Sequence, residues 1–295
     1  MLYDVGLHID YSYATPVSGG RHMVRVLPLS IHGRQRLVVG TIDIAPRPAE
    51  RTDIRDFFGN PAASILFRNV HERLDIRMQA RVQVDALDPS PDFSPRIAAL
   101  SADIAEIWSL DAGSPHHYAG SSPRLPDCPE IAEYARSIAD GTMTVREAAK
   151  AICAAVHQDF TYDTEATSVD TTPQEAFRLK RGVCQDFSHV MILALRSLGI
   201  PAGYVSGFLR TIPPPGQERL EGADAMHAWV RFWCGRVNGW MELDPTNDIP
   251  AGTDHIVVAY GRDYSDVAPV IGILKSYGGH STHQAVDVIP LHQPS

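Results

Sequence analysis

The sequence predicts an α+β protein, with strands first, then helices, then strands again. Three observations predict it. Short alternating runs separated by turn residues fill the chain up to about residue 84. A break follows, carrying Pro89, Pro91, Pro95, Pro115, Pro123 and Pro126. From Cys128 apolar residues recur at helical spacing, until Gly199-Ile200-Pro201 stops the last helix and strand patterns return.

Leu2 to Tyr13 alternates and meets a turn cluster at Thr15-Pro16-Val17-Ser18-Gly19-Gly20. His22 to Leu29 and the β-branched run Arg36 to Ala45 are two further strands, followed by a turn at Arg55 to Pro61. Ala63 to Phe67 and Glu72 to Val84 come next, the latter setting Leu74, Ile76 and Met78 against Arg73, Asp75 and Arg77. Short strands at this spacing predict a β-sandwich-like domain. The proline-rich stretch is a linker holding one helix near Pro95 to Leu110.

Beyond it, Glu130 to Ala139 is amphipathic. Thr144 and Glu147 form a capping box for a helix running through Ala151, Cys153 and Val156. Pro173 to Leu179 is helical, as is Gly182 to Gly199, where Phe187, Val190, Met191, Ala194 and Leu198 share a face. Strands are expected at Ala202 to Arg210, Met226 to Trp233, Trp240 to Leu243 and Ile256 to Tyr260. Ile212 to Gly222 is a proline-rich loop, Gly235 to Gly239 a turn, and the polar stretch from His280 a mobile tail.

With 295 residues, 44% of them hydrophobic and 21% charged, the chain is ordinary globular material. A net charge of −9 and the lack of a Lys/Arg block give no footprint for nucleic acid. No apolar run is long enough to span a membrane. The start MLYDVGLHIDYSY lacks the basic and apolar regions of a secretion signal, so a cytoplasmic location is expected. The four cysteines show no metal or CxxC spacing and are read as free thiols.

One of them carries the chemical reading. Cys184 stands at the start of an otherwise apolar helix, where free amide groups and the helix dipole favour a thiolate. The same amides can stabilise an oxyanion. His227 opens a strand after the proline-rich loop and is the candidate base. Asp244 ends the following strand, and folding the hairpin near Arg236-Val237 brings it almost opposite His227 to fix its tautomer. A helix-tip Cys with His and Asp on neighbouring strands is a papain-like arrangement.

The wording of the segments points further. Gly182-Val183-Cys184-Gln185-Asp186-Phe187-Ser188, Gly199 to Gly207 (GIPAGYVSG), His227-Ala228-Trp229-Val230, Gly239-Trp240 and Asp244-Pro245-Thr246 together resemble the transglutaminase-like superfamily. Tyr11-Ser12-Tyr13, Pro16-Val17, Asp56 to Asn60, His71 and Leu74 are similar to the small β domain preceding this core in bacterial members. The resemblance implies a nucleophile helix packed on an antiparallel sheet. It assigns Cys184 as nucleophile, His227 as base and Asp244 as orienter. It divides the chain into an N-terminal β domain (1–88), a linker (89–126), a transglutaminase-like catalytic domain (127–278) and a C-terminal tail (279–295). Gly203 and Arg231 depart from the family pattern, which often has arginine and an acidic residue there, and both departures bear on substrate choice.

Gly182, Gln185, Tyr204, Trp229 and Trp240 are candidates for binding substrate. Gly182 would leave room for its approach. Trp229 and Trp240 are equally readable as hairpin packing, and Asp186 as a partner of the helix dipole. Cys153 reads as core, and Cys234 as an oxidisable thiol at a hairpin tip. The remaining histidines, His255 included, show no ligand spacing, so no metal and no cofactor are expected. The expected function is cysteine-dependent acyl transfer from a peptide or protein amide, to water or to an amine. The alternatives are a catalytically silent scaffold on the same fold, and a metal-dependent hydrolase built on the histidines.

Overall fold

The computed structural model describes residues 1–87, 90–211, 224–275 and 278–291. The expected proline loop, Ile212 to Gly222, lies outside the described residues.

The N-terminal strands are β1 (Leu2–Val24), β2 (Gln35–Ala45), β3 (Glu50–Arg55), β4 (Pro61–Phe67) and β5 (His71–Val84). The turn cluster at Thr15 to Gly20 does not end β1. Gly19, at φ 63°, helps the strand through an irregularity between Ser18 and Gly20, and β1 continues to Val24. Its first half pairs with β5 and its second half with β4, so β1 joins the two halves of the sandwich-like region. Along β5, Leu74, Ile76, Met78, Ala80, Val82 and Val84 are buried. Each such larger side chain contributes about 1.5–3 kcal/mol on leaving water.

Helices follow: α1 (Ile97–Ala105), α2 (Pro129–Ile138) and α3 (Val145–Asp159), with a 3-10 turn at Pro115–Tyr118 between the first two. Thr144 Oγ1 accepts from the Glu147 amide at 3.2 Å, and Glu147 accepts from the Thr144 amide at 2.9 Å. This is the expected capping box, a feature that stabilises a helix start by about 1 kcal/mol. The two-residue strands β6 (Thr161–Tyr162) and β7 (Arg181–Gly182) pair in parallel on either side of α4 (Pro173–Leu179). Then comes α5 (Cys184–Ser197), in which all residues from Gln185 to Arg196 are buried.

A second sheet is formed by β8 (Ala202–Leu209), β9 (Ala225–Trp233), β10 (Trp240–Asp244), β11 (Ile249–Pro250) and β12 (His255–Gly261). Its order is β11-β10-β9-β8-β12, and the pairs are antiparallel. The helical turn α6 (Gly235–Asn238) links β9 to β10. Val190, Met191 and Ala194 of α5 share one buried core with Ala228, Val230 and Phe232 of β9.

The C-terminal part departs from expectation. After α7 (Tyr264–Val267), β13 (Val270–Lys275) and β14 (His280–Leu291) both pair with β1, on its second and first halves. The expected tail therefore supplies a strand to the N-terminal sheet. Alternation in β14 is legible only at Val286 and Val288, its two buried positions, because its other residues face water or are half-buried.

The two regions are bolted together by polar side chains. Gln35 acts as a strand edge: its Nε2 donates to the carbonyls of Leu29 (2.6 Å) and Val257 (2.7 Å), and its Oε1 accepts from the Val257 amide (2.8 Å). Asn60 pairs in the same way with both backbone groups of Tyr260, at 2.8 Å each.

Candidate active site

The helix carrying Cys184 begins where it does because its first turn is tied back. Asp186 Oδ2 accepts from the Val183 amide at 2.8 Å and from the Thr167 hydroxyl at 2.7 Å. Burial raises the Asp186 carboxyl above its usual range, against the pull of these two donors. Gly182 is what admits this carboxylate. A Cβ there would sit 2.3 Å from Asp186 Oδ2, and the Gly182 backbone has a φ of 155°. Its missing side chain thus makes room for Asp186, not for substrate. Cys184 itself is half-buried at the helix tip.

His227 lies on β9 opposite Gly207 of β8. A Cβ at Gly207 would meet the Trp229 ring at 2.4 Å and the Ile256 carbonyl at 2.2 Å, so this glycine lets the indole lie across the strand. Asp244 follows Leu243, which pairs with Val230, so the carboxylate is diagonal to His227 instead of directly opposite. His227 Nε2 stands 2.8 Å from Asp244 Oδ2. The Cys184 thiol lies near enough to the imidazole to favour its charged form. Burial opposes charge on the ring, but the bond to Asp244 and the nearby Cys184 outweigh it and raise His227 from 6.5 to about 10.

Asp244 is fully buried and densely served. Its Oδ1 accepts from the Thr246 and Asn247 amides at 2.9 and 3.3 Å, and its Oδ2 from Asn247 Nδ2 at 2.7 Å. A second imidazole, His255, reaches the same Oδ2 at 3.2 Å. Burial alone would raise this carboxyl; the bonds from His227, His255 and Asn247 hold it well below the usual range. The sequence does not single out His255. A lone histidine at a strand start has no spacing signal, and only the β12–β8 pairing brings its strand into this sheet.

Behind the imidazole lies a further layer. The Trp229 indole stacks on His227 with ring centres 6.1 Å apart and meets His255 edge-on at 5.1 Å. Its Nε1 donates to Glu242 Oε2 at 2.6 Å, and the Tyr260 hydroxyl donates to Oε1 at 2.9 Å. Arg34, from the N-terminal region, grips both oxygens of Glu242, through NH2 at 2.7 Å and through NH1. Burial would raise the Glu242 carboxyl, but Arg34 and then Trp229 hold it below its usual range.

The expected substrate-binding set sits beneath the site. Gln185 is buried and donates to the Val169 carbonyl at 3.2 Å. Tyr204 is buried against His189 and Tyr264, and Trp229 has no exposed surface. Trp240 bonds the Gly113 carbonyl at 2.8 Å and packs on Arg231. Gln185, Tyr204 and Trp229 thus have their surface already covered, whereas Trp240 is partly buried. Tyr162 is different. It is 54% exposed and lies near Cys184, yet nothing in the sequence gives it a role.

Gly203 and Arg231 meet at one residue. A Cβ on Gly203 would lie 2.6 Å from the buried Tyr118 ring, and the Arg231 guanidinium packs among Tyr118, Trp240 and Tyr260. The two departures from pattern are a single local repacking, with Arg231 8% exposed and Tyr118 fully buried.

Other sequence candidates resolve simply. Cys153 is buried, and Cys234 is buried too, its thiol pushed up to about 12 by burial, instead of standing at an accessible tip. His189 is enclosed in α5 and held neutral by burial, at about 3. His227, Asp244 and His255 bring three ligand-type atoms within 4.8 Å of one another. Their spacings of 2.8 and 3.2 Å are those of ring N–H groups donating to one carboxylate.

Comparison with known proteins agrees with this architecture. Residues 132–245 match the transglutaminase-like superfamily model, and residues 3–83 match the bacterial transglutaminase-like N-terminal region. An uncharacterized protein of Mycobacterium tuberculosis is 35% identical over 270 residues, covering 87% of this chain and 83% of its own. The chain belongs to the transglutaminase-like superfamily. A Mycobacterium leprae relative is 29% identical over 287 residues, covering 95% and 96% of the two chains. The structure of a candidate cysteine protease from Cytophaga hutchinsonii superposes with a TM-score of 0.74 at 18% identity, covering 100% of this chain and 93% of that one. The transglutaminase-like match contains Cys184, His227 and Asp244, and ends before His255. No helix among the described residues is long and apolar enough to cross a membrane.

Proposed function

We propose that the chain is a cysteine-dependent acyl-transfer enzyme acting on a peptide or protein amide, with Cys184, His227 and Asp244 as its catalytic residues. The observation that carries this reading is a half-buried thiol at a helix tip, near enough to act on an imidazole that is bonded to a buried carboxylate.

In this reading His227 holds the thiol proton and Cys184 Sγ attacks the amide carbon. The carbonyl electrons move to oxygen, beside the Cys184 and Gln185 amides, which precede the first bonded amides of α5 at Asp186 and Phe187. Collapse breaks the C–N bond, and His227 gives its proton to the leaving amine. The thioester then passes its acyl group to water or to an amine, whose proton returns to His227. Asp244 stays ionised throughout and supports the imidazolium. Water is the acceptor in our reading, because it needs no second binding site. Tyr162 offers an aromatic surface at the thiol for the acyl donor. Four unpaired thiols support the cytoplasm as the working compartment.

The test is alkylation with iodoacetamide below neutral pH, read thiol by thiol by mass spectrometry. Cys184 is expected to label first, and His227→Ala to abolish the preference. Labelling no faster than the buried Cys153 overturns the reading. A screen of peptide and glutamine-amide substrates, with Cys184→Ala as blank, then separates hydrolysis from transamidation. Biological activity that survives Cys184→Ala points instead to a silent scaffold.

A further inference from the structure

Two imidazoles share one carboxylate, and their hydrogen bonds give them different protonation. The Gly252 amide donates to His255 Nδ1 at 3.2 Å. That nitrogen is therefore an acceptor without a proton, and the ring's proton sits on Nε2. Nε2 faces Asp244 Oδ2 at 3.2 Å and donates to it. His255 is thus a neutral ring with one fixed tautomer, 2% exposed and locked edge-on against Trp229. Its strand is further pinned by Gln35 at Val257.

We propose that His255 is a positioning residue, whose Nε2–H keeps the Asp244 carboxylate ionised and aimed at His227. The inference rests on the function proposed above and deepens it. A buried carboxylate beside an imidazolium can escape its charge by taking the imidazolium proton, which would leave the thiol without a charged partner. Every neutral donor added to the carboxylate makes that transfer harder. Thr246, Asn247 and His255 are such donors, and His255 alone among them comes from another strand. It therefore ties β12 to β10 at the point where Asp244 must hold its angle.

The charged and titratable groups around this point belong to known partners. His227 faces Asp244 from β9. Cys153 faces it from α3 with its thiol raised, first by burial and then by Asp248. Asp254, next to His255 in sequence, is held by Arg210 and by the Tyr3 hydroxyl.

Two measurements test the proposal. The first needs no variant: nitrogen-15 spectra of histidine-labelled protein report each ring's protonation. His255 is expected as the neutral Nε2–H tautomer at neutral pH. An Nδ1–H tautomer or a doubly protonated ring there overturns the proposal, whatever the thiol does. The second is the pH profile of Cys184 alkylation. His255→Phe fills the space without a donor, whereas the side-chain amide introduced by His255→Gln can both donate to Asp244 and accept from Gly252.

The Phe variant is expected to lose about 10- to 100-fold in rate at mildly acidic pH, with its acid limb moved upward. The Gln variant is expected to keep the wild-type profile. A Phe profile that coincides with wild type, or a Gln variant no better than Phe, overturns the role. Should the Phe variant not fold, the spectra and the Gln profile still decide. Failure of the function itself looks different, because Cys184 then shows no preference in the wild-type protein.

Discussion

The two ends of the Cys184–His227–Asp244 chain are built in opposite ways. At the thiol end the supports are mostly local: Gly182, Val183 and Asp186 lie within five residues, and Thr167 adds one longer tie. At the carboxylate end they come from across the molecule. Asp244 is held by its own loop and by His255, while Trp229 behind His227 hangs on Glu242, which is gripped by Arg34 some 208 residues earlier. A nucleophile needs only a helix tip, which a short segment can specify. A charged imidazole inside a protein needs a counter-charge whose own desolvation is offset, and that takes several strands. The N-terminal region is therefore part of the rear wall of the site.

The largest break in this comparison is at that rear wall. Arg34→Met leaves Glu242 buried without the cation that bonds it, and is expected to cost about 3–5 kcal/mol in urea unfolding. Adding Glu242→Gln should restore much of it, because a neutral amide can still accept from Trp229. A loss below about 1 kcal/mol would mean that the Arg34–Glu242 pair adds little to the junction of the two regions.

At the thiol end the expected effect is smaller. Gly182→Ala forces a Cβ into the Asp186 carboxylate at a φ of 155°, and should cost about 1–3 kcal/mol and slow Cys184 alkylation. Full stability in thermal melts would show that Asp186 can move without consequence.

This asymmetry decides what can be read in the sequence. The capping box at Thr144, the helix from Cys184 and the strands carrying His227 and Asp244 are encoded by neighbours in sequence, and all stand where expected. The family motif names the two distant partners of the thiol. His255, Arg34 and Gln35 give no signal, since each acts through a contact made only when separate strands meet. The turn expected at Thr15 to Gly20 and the tail expected beyond residue 279 are absent for a related reason: tertiary pairing with β4, β13 and β1 overrides weak local patterns. Residue type does not reveal burial, which is why Tyr204 and Trp229 read as substrate contacts until the sheet is assembled.

The smallest predicted effect is at the exposed side of the thiol. Tyr162→Ala should raise KM for an aromatic or apolar acyl donor several-fold, about 1 kcal/mol, and leave kcat and folding nearly unchanged. A fall in kcat alone would place Tyr162 in the reacting geometry instead.

The central claim is that the carboxylate end keeps His227 charged, and one titration addresses it directly. Native His227 binds its proton up to about pH 10, whereas the free imidazole releases it near 6.5. Between those values the folded state holds more protons than the unfolded one, so this contribution to stability is full below about 6.5 and fades as pH rises towards 10. Following the His227 ring resonances from neutral to alkaline pH should show an imidazolium that persists well above pH 6.5 and disappears near 10. A midpoint at or below 6.5 would contradict the account, because the ring would then be neutral where the thiol needs its charge.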